Sequence, residues 1–293
     1  MEEIIRKWNK LEYGGNEELS RDTTMLHHAA QFPAYVANHY IPEKEDDSHT
    51  AMRWEPSLKA FVGQELVTEM GHFFVVLSID PLSISLRDDR MKTLWSYDLK
   101  GKTRQDVMEW LKDHLKKLGL PAEKFNDRLH FSIPEHEVSK GAAFNFYNKQ
   151  HAPELIRIRE NGHLILTHFA ADFSSAHPLY VWPHHFDEGC YVPLEKLNDE
   201  VIRSLSFGLA VPDQYYDGAY FYVNAWNHKD ISYDHLPHIS SPGQWHQEDW
   251  YGQVLELSKL TDLPCEEQAA ASFRFMEEAL KNARSLAGWS YKV

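Results

Sequence analysis

Cysteine is nearly absent: Cys190 and Cys265 are the only two in 293 residues. They stand far apart with no CxxC pair, so they offer neither a zinc knuckle nor a disulfide framework. Both are expected as buried, reduced thiols that behave as small hydrophobes. Basic residues are in deficit too, with 30 Lys+Arg against 44 Asp+Glu and a formal net charge of −14. Binding a phosphate backbone or an anionic membrane needs concentrated positive charge, so neither nucleic acid nor a membrane is an expected partner. No run approaches the ~18 apolar residues of a membrane span. The charged opening MEEIIRKWNKLEYGG lacks the apolar stretch of a signal peptide. These absences predict a soluble protein of a reducing cytoplasm. Phosphate loops of the G-x-G-x-x-G or P-loop kind are missing, as are HExxH and the G-x-S-x-G elbow. HFSIPEH and DFSSAH place serines near histidines, but without the strained strand-to-helix turn of that elbow.

Histidine, by contrast, is plentiful: 18 residues, spread along the chain. That enrichment directs attention to acid–base or metal chemistry. A chain of this length can bury roughly three quarters of its unfolded surface, so no metal or disulfide is needed for folding.

Hydrophobic periodicity supplies the outline. Asp22-Thr23-Thr24 predicts the N-cap of a helix whose stripe is Leu26, Ala29 and Ala30, continued by Val36, Ala37 and Tyr40, with a kink or break at Pro33. Then the period changes to two. KAFVGQEL, HFFVVLSI, LSISLRD and TLWSYDL predict an antiparallel meander punctuated by Asp80-Pro81 and Asp88-Asp89. Thr103 and Asp106 form a capping box for a helix with Val107, Leu111, Leu115 and Leu118 on one face, closed by Gly119. LHFSIP reads as a strand and SKGAAFNFYNKQ as a helix. LIRIRENGHLILTHF reads as a hairpin about Asn161-Gly162. Strands are expected at Leu179–Phe186, Ser204–Val211, Ala219–Trp226 and Tyr251–Leu257. A final helix buries Phe273, Met276, Leu280, Ala283 and Leu286. The fold class is therefore α+β, helices packed on antiparallel sheets, with each half reading helix, strands, helix. The division is expected within FSIPEHEVSKG, giving an N-terminal half 1–135 and a C-terminal half 136–293 that carries the site, or else one compact domain.

Two constellations carry candidate chemistry. In VWPHHFD, a strand would point Trp182, His184 and Phe186 one way and His185 and Asp187 the other. His185 and Asp187 could then reach one ligand, or the carboxylate could orient the imidazole. In GQWHQEDWYGQ, His246 and Glu248 repeat the imidazole–carboxylate pairing at strand spacing. Brought together, the four side chains could form a catalytic acid–base set or hold a divalent ion such as Zn, Fe or Mn. Trp182, Tyr220, Tyr222, Trp226, Trp245 and Trp250 would line a surrounding ligand pocket. The expected function is thus a small-molecule-binding protein or an enzyme with a His/carboxylate site. One alternative is a metal-dependent hydrolase or lyase, with His185 or His246 as general base. Another is a non-catalytic interaction or structural protein in which these groups only satisfy backbone partners. Aromatic-rich strands could equally bury a homo-oligomer interface.

The order RDTTMLHHAAQF, DDSHTAMRW, YVWPHHFD, SFGLAVPDQYYDGAYFYVNAW and QWHQEDWYGQVLEL resembles an uncharacterised bacterial family of hypothetical proteins with W-P-H-H-F-D and W-H-x-x-x-W motifs. It is similar in outline to a family built on a domain of unknown function, which has W-x-S-F-D where this chain has Trp182–Asp187. That second likeness implies that Phe186 and Asp187 are shared and the two histidines are not. The resemblance implies no activity, substrate or cofactor.

Overall fold

The computed structural model describes residues 1–13 and 17–289. The fold is α+β, with five α-helices and two antiparallel sheets among the described residues. No described helix is long and apolar enough to cross a membrane. The chain forms two compact units that are not contiguous in sequence. One holds Glu17–Ile156 and Tyr180–Phe186; the other holds the described parts of Met1–Asn16, Arg157–Leu179 and Asp187–Val293.

The first unit is built on α2 (Glu17–Tyr40), which follows a short α1 (Glu2–Lys7) of the other unit. Its sheet is the expected meander, ordered β1 (Arg53–Glu55), β2 (Ala60–Thr68), β3 (Gly71–Ser78), β4 (Ser83–Asp88) and β5 (Thr93–Asp98). α2 packs on β2 and β3. It runs through Pro33 unbroken. There the register of β2 shifts between Val62 and Glu65, and a Cβ on Gly63 would stand 3.1 Å from the Pro33 ring. The missing side chain lets strand and helix meet at the one turn where proline removes a helix hydrogen bond. α3 (Arg104–Lys117) opens with the expected capping box and buries Val107, Leu111, Leu115 and Leu118.

α2 starts five residues before the predicted cap, so Asp22 lies inside the helix. Its carboxylate accepts hydrogen bonds from the amides of Tyr147 (2.6 Å) and Asn148 (3.2 Å) and from His151 Nδ1 (2.6 Å). LHFSIP forms no strand, and of the next predicted helix only Ser139 and Lys140 coil, as the end of a single 3-10 turn over Glu137–Lys140 that Gly141 closes at φ +97°. Beyond that turn the backbone pairs elsewhere: Phe144 exchanges hydrogen bonds with Gly101 and Lys102.

The second unit orders its strands β10 (Gln244–His246), β11 (Gly252–Glu256), β9 (Tyr220–Asn227), β8 (Glu200–Ala210) and β7 (Glu188–Leu197). β6 (Tyr180–Val181) belongs to the first unit, where Val181 bridges Met52. β7 was not predicted, and Leu179–Phe186 is extended only over β6. α5 (Cys265–Leu286) packs on β9 and β11, with Gln253 Nε2 donating to Ala279 O. α1 lies on α5, and Gln268 ties Trp8 and Leu11 to it.

The predicted hairpin is instead the middle of α4 (His151–Ala170). Leu155, Ile158, Ile165, Leu166 and Phe169 are buried at helical spacing, a period the alternation had masked. The Asn-Gly pair serves packing. The Asn161 side chain accepts from Asn9 N (2.8 Å) and donates to Asn9 O (2.7 Å), while Gly162 leaves room for Leu209.

Candidate functional site

Trp182–Phe186 is a turn, not a strand: Phe186 N donates to Trp182 O (2.6 Å), and Phe186 sits at φ +59°. Side chains therefore do not alternate as predicted. His184 is half-buried against Trp182 and Phe131, whereas His185 is exposed and touches His184. The turn is gripped through its backbone. Pro183 O accepts from His27 Nε2 (2.8 Å) and Gln31 Nε2 (2.8 Å), and the Phe186 ring stacks on His27 at 5.1 Å. His27 and Gln31 lie one turn apart on α2, on the same face.

Asp187 belongs to the second unit, in which several candidate residues do share a sheet face. Tyr220 and Tyr222 alternate with Phe221 on β9, and His246 on β10 lies on their side of the sheet. Tyr222 donates to Asp187 Oδ2 (2.7 Å), Tyr220 to Asp213 Oδ2 (2.6 Å) and Tyr215 to Asp249 Oδ2 (2.8 Å). Burial first, then the Asp187 charge, pushes the Tyr222 phenol well above its ordinary range; burial first and the Asp213 hydrogen bond raise Tyr220. Both remain neutral donors. Gly208 makes the first contact possible, since a Cβ there would stand 2.6 Å from the Tyr222 hydroxyl and 2.5 Å from Glu188 O.

Both ring nitrogens of His246 are engaged. Nε2 faces Glu248 O (2.7 Å) and must donate to that carbonyl, so the neutral ring accepts at Nδ1 from Tyr216 OH (2.9 Å). The ring is buried and stacks on Trp250 at 4.2 Å, where Gly252 makes room. Glu248 contributes a carbonyl, and its side chain is exposed. Trp245 points to the α5 side, paired with Gln253, and its indole donates to Pro237 O (2.8 Å). Trp226 is 49% exposed. Of the predicted residues, Asp187, Tyr220, Tyr222, His246 and Trp250 thus gather on one face, Trp182 and His185 lie in the other unit, and Trp245 points away. On the helix side of the same sheet, buried Glu188 accepts from His163 Nδ1 (2.5 Å). Arg159 is buried nearby; burial lowers its guanidinium to about 10, against the raising effect of Glu188 and then Asp187. Among the described residues, no three His, Cys, Asp or Glu side chains are grouped to hold a metal ion.

A site the motifs did not mark lies on α2. A cavity of about 450 Å3 is lined by His28, Gln31 and Tyr35 of α2, Arg104 of α3, and the segment 127–135 with Phe131. Its three helix residues recur at i, i+3 and i+7, one face of a mostly buried helix. His28 Nε2 donates to Pro134 O (2.9 Å); burial, its largest influence, holds the imidazole below its ordinary pKa and so neutral. Arg104 donates to the Tyr35 hydroxyl and pairs with Asp127 (3.2 Å). Gln31 is 2% exposed, and its amide orientation is settled by two carbonyls, His27 O (3.0 Å) and Pro183 O (2.8 Å), which only an NH2 can serve. Its Oε1 is buried and has no hydrogen-bond partner among the described residues.

A larger hollow of about 810 Å3 lies between α4 and α5, beside Phe169, Phe273 and Trp289. Arg284 already occupies its aromatic end, 4.3 Å over the Phe173 ring, and its acidic residues Asp172 and Glu277 are exposed. The smaller cavity holds the more demanding chemistry. The chain matches no family model, no curated protein and no solved structure.

Proposed function

We propose that this is a small-molecule-binding protein whose ligand occupies the cavity on α2. One observation carries the reading: a cavity of about 450 Å3 is walled by a buried polar face of α2, His28, Gln31 and Tyr35, beside Arg104. The volume falls within the roughly 300–1,000 Å3 of small-molecule sites, and Leu129, Phe131 and Ile133 give a mainly polar lining some apolar surface. The phenol–carboxylate face serves here as scaffold, because its tyrosine hydroxyls and both nitrogens of His246 already have partners. Two free thiols, Cys190 and Cys265, support placing the protein in a reducing cytoplasm.

The test is a thermal-shift screen of the full chain against metabolites grouped by class, run beside Ser132→Trp. Ser132 is exposed and lines the cavity, so an indole there should block entry without disturbing the core. At least one class should raise the melting temperature of the parent in a concentration-dependent way and leave the variant unmoved. A screen that shifts neither protein, or both alike, sinks the reading.

A further inference from the structure

The segment 126–135 forms one wall of the α2 cavity, and its burial follows a strand's rhythm. Leu129, Phe131 and Ile133 are partly buried and line the cavity, while Arg128, His130 and Pro134 are exposed. That alternation is why LHFSIP reads as a strand. Yet among the described residues no main-chain group of 126–135 bonds to another main-chain group. The segment has the pattern of a strand and no ladder to hold it.

Its ends are fixed. Phe125 is buried and closes a 3-10 turn on Ala122, and Val138 is buried in the turn that Gly141 ends. Between them only side chains fasten the backbone. His28 Nε2 donates to Pro134 O (2.9 Å), Arg104 pairs with Asp127 (3.2 Å), His130 meets Asp47 (3.0 Å), and Asn38 reaches Arg128 O at 3.4 Å. Phe131 leans on His184 at 5.6 Å. The side chains of Asp127 and His130 are more than half exposed, and exposed ion pairs hold weakly because water competes for both partners. Segments with few backbone hydrogen bonds and much solvent exposure open before the rest of a fold does. The opposite wall cannot move so easily, because α2 is a long, mostly buried helix packed on β2 and β3.

We propose, resting on the small-molecule reading above, that 126–135 is the gate of this cavity. It lifts off α2 between Phe125 and Val138 to admit a ligand, and the helices keep their places. Closing returns Leu129, Phe131 and Ile133 to the cavity and shuts water out of it.

Thermolysin digestion of the full chain, read by fragment mass, tests this. The protease cuts on the amino side of large apolar residues, so it can cut here only when Leu129, Phe131 or Ile133 has turned out of the cavity. A cut before one of these three should appear while the fold is intact. Its rate should stay nearly flat in urea below the unfolding midpoint, because opening a short segment exposes little surface. Asp127→Asn should speed the cut about two- to fivefold, the worth of an exposed ion pair, and leave the midpoint in place. A rate that climbs with urea as steeply as global unfolding overturns the gate, since the segment then leaves only with the whole fold. A rate equal to that of a free peptide of residues 124–138 overturns it too, since nothing is then shut. So does an Asp127→Asn rate equal to the parent's, which removes the fastening. No ligand enters this experiment, so its failure strikes the gate alone, whereas a silent metabolite screen strikes the small-molecule reading and leaves the cut where it is.

Discussion

Asp22 is a buried carboxylate that holds two loop amides and one imidazole. Asp22→Ala would leave three donors facing an empty space, and removing one partner of a buried pair costs about 3–5 kcal/mol. Urea denaturation should show that loss as a lower midpoint with the slope unchanged. The thiols make a second prediction. Cys190 is buried and its pKa is pushed by burial up to about 12, whereas Cys265 is partly exposed. A thiol reagent at pH 8 should therefore modify one cysteine readily and the second only on unfolding. The raised folded value also fixes a sign. The Cys190 contribution is complete below about pH 9 and is lost as pH climbs toward 12, because the unfolded thiol ionises first. Cys190→Ala should thus lose less melting temperature between pH 8 and pH 10 than the parent. At this scale the sequence showed where histidines and acids lie but not how each is spent. His246 reads as a general base and proves to be held at both nitrogens. Gln31 drew no notice, because His28, Gln31 and Tyr35 at i, i+3 and i+7 share the helix with other polar residues, Asp22, Thr23 and His27.

Elements whose burial is one-sided were legible, and those fixed by distant contacts were not. The meander β2–β5 follows its alternation, and α3 follows its capping box and stripe. Thr103→Ala should cost about 1 kcal/mol, since it removes the side chain that caps the Asp106 amide. α4 was misread because Asn161-Gly162 satisfies turn chemistry locally while the tertiary structure uses it for close packing. Gly162→Ala sets two effects in opposition. Helix propensity favours alanine by about 1 kcal/mol, but the new methyl would collide with Leu209, and overpacking costs about 1–3 kcal/mol. The collision should win, and thermal unfolding should show a net loss. Were alanine to stabilise the protein, the packing of α4 on β8 would be wrong.

At the scale of the whole molecule, neither half of a cut at residue 135 contains a complete unit. The unit around α2 needs 136–156 and Tyr180–Phe186, and the unit around α5 needs the first residues of the chain. Fragments 1–135 and 136–293, made separately, should therefore lack the near-ultraviolet dichroism of fixed aromatic packing, even if some helix persists. Composition could indicate the size and class of the molecule, because those depend on sums over residues. It could not indicate the threading, because that depends on which pieces meet. The tie between Leu11 and Gln268 has a consequence in time. They are 257 positions apart, and a ribosome adds ~5–20 residues per second. The apolar side chains of Trp8 and Leu11 are therefore made on the order of 10–50 s before the helix that covers them. During that interval the nascent chain displays an uncovered greasy segment, a natural target for ribosome-associated chaperones.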